Sequence, residues 1–163
     1  AASDVYKRQD LVISNNSKAK GLNYAKIFKI KKKVYKFNNK SLDESRLLST
    51  LERQKIDMIC LAGFMKILTN NFIKRFKGKI LNIHPSLLPK YKGLNTHQRA
   101  LKNNEKYSGC TVHFVNSKLD SGKIIIQKKI KISKNDTKVS LARKILTQEH
   151  KIYPKAILKV FSL

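Results

Sequence analysis

Two residues two positions apart carry groups suited to acyl transfer. In Lys79-Ile-Leu-Asn-Ile-His84, Ile80, Leu81 and Ile83 are apolar and mostly branched, which reads as a strand. Pro85 biases His84 toward extended backbone and cannot itself continue a ladder. Alternation along that strand puts Asn82 and His84 on one face, at a carboxyl end, where open α/β sheets place their ligands. A carboxamide can donate to a carbonyl oxygen, and an imidazole can donate to the same oxygen or move a proton. The same residues also read as a polar turn closing a buried strand, and the pattern alone leaves both readings open. Asp120, in Leu119-Asp-Ser-Gly122, raises a similar pair. It is one of only ten acids in the chain, and it is also the residue type that bonds its own backbone in a turn.

A sheet has to position such a pair, and the chain reads as alternating strands and helices. Asp10–Ser14 is a short apolar strand, with Ser17 as N-cap for a helix over 18–28. Lys33–Phe37 is a brief strand, and Ser41-Leu-Asp-Glu44 is a capping box opening a helix as far as Lys55. Asp57–Gly63 runs apolar without alternation, as a central parallel strand covered on both faces would. Thr69 caps a helix through Phe72, Ile73 and Phe76 that stops at Gly78. After the Asn82 strand come a helix over 95–103, a strand Thr111–Val115 in which His113 points opposite to Val112 and Phe114, and a long strand 124–132. Asp136-Thr137 caps a last helix, kinked or broken at Pro154. Such alternation implies a doubly wound α/β sheet.

The 163 residues fit one domain over 10–163. Ala1–Gln9 reads as a cloning or assembly scar and is set aside. The start shows no apolar leader, and no apolar run is long enough to cross a bilayer, so a soluble, cytoplasmic protein is expected. Thirty-six basic against ten acidic residues give +26. The lysines are spread through the chain with only Lys31–Lys33 clustered, which favours compositional drift on solvated faces over a nucleic-acid groove. The field still favours a phosphate-bearing substrate. Cys60 and Cys110 lack the spacing of a zinc or redox pair and read as reduced core residues.

The segment Asn82-Ile-His-Pro-Ser-Leu-Leu-Pro-Lys-Tyr-Lys-Gly93 resembles the signature of the folate-dependent formyltransferases. Asn116-Ser-Lys-Leu-Asp-Ser-Gly122 resembles their second signature. Thr147-Gln-Glu-His150 followed by Ile152-Tyr-Pro154 resembles the branch that formylates glycinamide ribonucleotide in purine synthesis. The resemblance implies a Rossmann-like, mostly parallel sheet and direct transfer of a formyl group from 10-formyltetrahydrofolate, without a metal. Asn82 and protonated His84 would stabilise the oxyanion, and Asp120 would orient and charge His84 and help carry the proton. The folate would be gripped by Met65, Lys66, Ile67, Leu68 and Ile73 together with Asn82. Lys66 stands where an arginine is common, which loses the planar fork. Gly93 and Glu149 would contact the ribonucleotide. His97 reads equally as a helix-start residue or a ligand, and Gln148 and His150 equally as a solvated helix face. Ser86 lacks the base and orienter of a nucleophile.

The resemblance also implies a Gly/Ser/Asn-rich phosphate loop after a first strand. Ser14-Asn-Asn-Ser17 looks instead like the loop after the second strand, so the chain is expected to begin after the first strand-loop-helix unit and to lack the phosphate grip. Competing readings are formyltetrahydrofolate deformylase, methionyl-tRNA formyltransferase and a basic nucleic-acid-binding module. Small-molecule substrates are expected, membrane and nucleic acid are not, and the oligomeric state is left open.

Overall fold

The computed structural model describes residues 8–161, so seven of the nine residues set aside above lie outside the described ones. Two compact units meet after Ile56.

The first unit holds β1 (Leu11–Ser14), α1 (Gly21–Ile27), β2 (Lys31–Val34) and α2 (Lys40–Arg53). β1 and β2 run parallel, with Leu11 beside Lys31. The strand expected over 33–37 starts earlier, because Lys31–Lys33 pair with β1 while their side chains stay exposed. Phe37 has left the ladder at φ +54°. Ser17 does not cap α1, whose N-cap position is Lys20 with no side-chain bond. Asn16 Oδ1 instead accepts from Lys18 N–H in a local turn. The box opening α2 sits two residues earlier than expected. Asn39 Oδ1 accepts from Leu42 N–H at 3.2 Å, and Asp43 reaches back to Asn39 N–H at 3.1 Å. Asn is as good an N-cap as Ser, so the chain uses the first one available.

The second unit is built on a four-stranded sheet ordered β3-β4-β5-β6, comprising β3 (Met58–Leu61), β4 (Lys79–His84), β5 (Tyr107–Phe114) and β6 (Ile124–Lys131). β3 and β4 are parallel, whereas β5 is antiparallel to both β4 and β6. The short link from β5 to β6 allows only a hairpin-like return, since parallel neighbours need a crossover of a dozen or more residues. Within this sheet β3 is an edge strand, only partly buried, and Cys60 on it is exposed. The expectation of a central, doubly covered strand with a core cysteine is therefore corrected, because an unbroken apolar run does not by itself report what covers it.

α3 (Asn70–Arg75) starts as read, with Thr69 Oγ1 accepting from Phe72 N–H. α4 (Thr96–Lys102) follows β4, and α5 (Lys138–Phe161) closes the chain. Leu141, Ile145, Ile152 and Ala156 of α5 recur at helical spacing and pack on Ile83, Cys110 and Val112. That burial carries α5 straight through Pro154 without a break, outweighing the ~3 kcal/mol that an interior proline costs. Tyr153 pins the helix to the sheet by donating from its hydroxyl to the Leu61 and Leu81 carbonyls. With Ile83 and Val112 committed to α5, their strand neighbours project from the opposite face. The class is the α/β, Rossmann-like one expected.

Candidate functional site

On that opposite face the β4–β5 register sets Asn82 across from His113 and His84 across from Thr111. Asn82 Nδ2 lies 3.3 Å from His113 Nε2. The other ring nitrogen of His113, Nδ1, is 2.8 Å from the Phe114 carbonyl. A carbonyl only accepts, so Nδ1 carries the proton and Nε2 takes its hydrogen bond from the Asn82 amide. Burial holds the His113 imidazole below the usual histidine range, and nearby His84 pushes the same way. The Phe114 carbonyl and Asp120 oppose this without reversing it. His113 is thus a neutral acceptor that turns the Asn82 amide nitrogen in one direction.

His84 is buried, with Nε2 at 2.9 Å from the Tyr91 carbonyl and Nδ1 at 3.4 Å from Asp120 Oδ2. Both nitrogens therefore face acceptors. Asp120 Oδ1 also stands 3.7 Å from His113 Nε2. The Asp120 carboxylate does not serve its own turn, because Oδ2 accepts from Gly93 N–H at 2.8 Å and ties the β5–β6 turn to the loop after β4. Gly93 sits at φ +76°, the left-handed region that favours glycine. Asp120 sits at φ +44° and only 8% of its side chain is exposed.

Asn82 and His84 are therefore brought together as their alternation suggested, and Asp120 joins them as the resemblance implied. His113 joins them without having been singled out, and its one signal was alternation, a histidine pointing away from Val112 and Phe114. Ser86 Oγ is spent on the Lys90 carbonyl at 2.6 Å, which fits its dismissal as a nucleophile. Thr111 Oγ1 donates to the Ser86 carbonyl and accepts from Leu88 N–H, fastening the loop to β5. His97 is half-buried, and its Nδ1 has no hydrogen-bond partner among the described residues.

The other expected contacts lie outside this cluster. Met65, Lys66 and Ile67 are exposed, Leu68 is buried, and Ile73 is half-buried on α3. Glu149 is half-buried on α5, where burial pushes its carboxyl up. Its charge acts on Cys110, whose thiol is pushed up to about 12 chiefly by burial. Cys110 packs on α5, the helix that carries Glu149. Gln148 is half-buried and His150 exposed. A hollow of about 320 Å³ lies behind the loop after β4, lined by Tyr91, Glu105, Tyr107 and Lys129 among others and by none of the four clustered side chains.

Residues 4–157 match the family model described as Formyl transferase. The chain belongs to the formyl transferase family. It is 43% identical over 159 residues to phosphoribosylglycinamide formyltransferase of Haemophilus influenzae, covering 96% of this chain and 75% of that protein. It is 42% identical over 156 residues to the human trifunctional purine biosynthetic protein adenosine-3, covering 94% of this chain but only 15% of that much longer protein. Among solved structures it is similar to phosphoribosylglycinamide formyltransferase from Anaplasma phagocytophilum, at 44% identity and a TM-score of 0.85, with 91% of this chain and 72% of that one covered. The enzyme of that name from Bacillus halodurans gives a TM-score of 0.89 at 32% identity, covering 95% and 81%. Among the described residues no helix is long and apolar enough to cross a membrane.

Proposed function

We propose that this formyl transferase moves the formyl group of 10-formyltetrahydrofolate onto the primary amine of glycinamide ribonucleotide, in the cytoplasm, as a step of purine synthesis. The observation that carries the reading is the convergence of Asn82, His84, His113 and Asp120 on one sheet face, in a chain so similar to enzymes named for that activity.

The amine attacks the formyl carbon, a C–N bond forms, and charge develops on the formyl oxygen. Asn82 commits one amide hydrogen to His113 and keeps the other for that oxygen. His84 Nδ1–H stands 3.4 Å from Asp120, longer than the 2.7–2.9 Å typical of a committed charged hydrogen bond, so it is free to be shared with the oxyanion. Preorganised donors of this kind are worth about 10²–10³ in kcat each. Asp120, facing His84 Nδ1, takes up the amine proton through water and returns it to the folate nitrogen as the bond from that nitrogen to the formyl carbon breaks. The exposed Met65 and Ile67 offer apolar surface to the pteridine, with Lys66 beside them for an acidic tail. Gly93 and Glu149 are read as ribonucleotide contacts.

The test follows loss of formyl from 10-formyltetrahydrofolate with and without glycinamide ribonucleotide. Loss that requires the ribonucleotide and vanishes in Asn82→Ala supports the reading. Loss without the ribonucleotide would make the chain a hydrolase and overturn it.

A further inference from the structure

We propose that Tyr91 is a positioning residue for His84, its backbone carbonyl fixing the imidazole while its own side chain is clamped from α4. The inference rests on the catalytic role given to His84 above.

Tyr91 adopts φ +57°, where a bulky residue is strained and persists only if its surroundings over-determine it. They do. The Tyr91 hydroxyl donates to Glu105 Oε1 at 2.9 Å and accepts from Asn103 Nδ2 at 2.9 Å. Its ring lies beneath the Arg99 guanidinium, 5.1 Å from the centroid. Glu105 is itself held by Lys90 at 2.8 Å, and these two donors keep its carboxyl below the usual range. Arg99 lies on α4 and Asn103 ends it, so a helix that gives the cluster no bonded side chain anchors the residue that faces it.

The strained carbonyl accepts from His84 Nε2 at 2.9 Å. Because a carbonyl cannot donate, that contact forces a proton onto Nε2 and aims Nδ1 at Asp120 and the reacting oxygen. A ring turned over, or left to swing, would present the wrong nitrogen. Aligning one catalytic group in this way is a matter of rate rather than of substrate affinity.

The test uses the full chain and two readouts. Tyr91→Phe removes one oxygen and keeps the ring under Arg99, while Glu105→Ala removes the acceptor. Each is expected to lower kcat about tenfold, equivalent to about 1.4 kcal/mol, with KM for both substrates changed less than about twofold. Tyr107→Leu, at a residue that lines the same hollow, is expected to leave kcat unchanged. Nitrogen-15 spectra of the wild type, without substrate, are expected to show His84 Nε2 protonated at neutral pH, and the Tyr91→Phe spectrum to show exchange between ring orientations. Unchanged kcat in both variants, or an unprotonated Nε2 in the wild type, would overturn the proposal. The spectra need no activity, so a chain that transfers no formyl group sinks the functional reading and leaves this one to be judged on the ring alone.

Discussion

His113 stands directly opposite Asn82 across the β4–β5 ladder and presents Nε2 to its amide at 3.3 Å. The contact leaves Asn82 one amide orientation, because the opposite one would set a carbonyl oxygen against a ring nitrogen that has no hydrogen.

Removing that constraint costs rate more than binding. His113→Ala is expected to lower kcat about tenfold, because the Asn82 amide then divides its time between two orientations and the donor it keeps for the oxyanion is no longer preorganised. Steady-state kinetics at saturating folate read the loss. A variant that merely raised KM would mean His113 holds substrate rather than Asn82.

Asp120→Asn keeps an oxygen for Gly93 N–H, so the link between the two turns survives. It replaces the carboxylate beside His84 Nδ1 with a neutral group that cannot take up the amine proton. General acid–base contributions of about 10²–10⁴ are typical, and kcat is expected to fall within that range with little change in melting temperature. A loss below about tenfold would remove Asp120 from the chemistry.

How much of this was legible differs from residue to residue. Asn82 and His84 were readable because a strand alternates with period two and the evidence lies within three positions. The bonds that His113 and Gly93 make were not, because their partners, Asn82 and Asp120, are fixed by pairing register and turn geometry 31 and 27 residues away. β5 begins four residues before the stretch read as strand, since Tyr107-Ser-Gly109 looks like a loop. The structure explains its glycine, where a Cβ would lie 2.0 Å from the Lys128 carbonyl. The capping box of α2 was misplaced for a simpler reason, as two good N-caps lie two residues apart and the sequence does not rank them.

Gly93→Ala tests whether the loop after β4 holds Asp120 in place. At φ +76° a Cβ costs about 1–2 kcal/mol, and relief of that strain moves the N–H away from Asp120 Oδ2. A lower melting temperature is expected together with a fall in kcat of about tenfold. A stability loss with full activity would show that the Asp120 carboxylate keeps its place without this bond.

Acid sensitivity follows from two histidines. The imidazoles of His113 and His97 are both held below the ordinary value of 6.5, first by burial. His113 also faces Asp120, His84 and the Phe114 carbonyl, and His97 faces Lys138 and His84. The unfolded chain therefore takes up their protons first. Stability is full above pH 6.5 and falls as the pH drops below it, levelling once the folded state is protonated too. Urea midpoints measured on either side of 6.5 are expected to separate in the wild type and to lie closer together in His97→Gln, where one of the two proton sites is gone and His113 remains. Equal separation in both proteins would remove His97 from the effect.

Asp136 gives the opposite window at the start of α5. Its carboxylate accepts from Ser133 N–H at 2.8 Å and Ser140 Oγ at 2.7 Å and pairs with Lys144. Lys144 first, then Ser133 and Ser140, draws it from 3.8 to about 2. A depressed carboxyl adds stability that is whole above its unfolded value of 3.8 and is lost as the pH falls toward about 2. Asp136→Ala is accordingly expected to cost about 1 kcal/mol at neutral pH, the usual net worth of a hydrogen bond. The gap between variant and wild type should narrow through that acid window, because protonation removes from the wild type what the substitution removes from the variant. A gap independent of pH would mean the side chain acts there by packing, with its charge irrelevant.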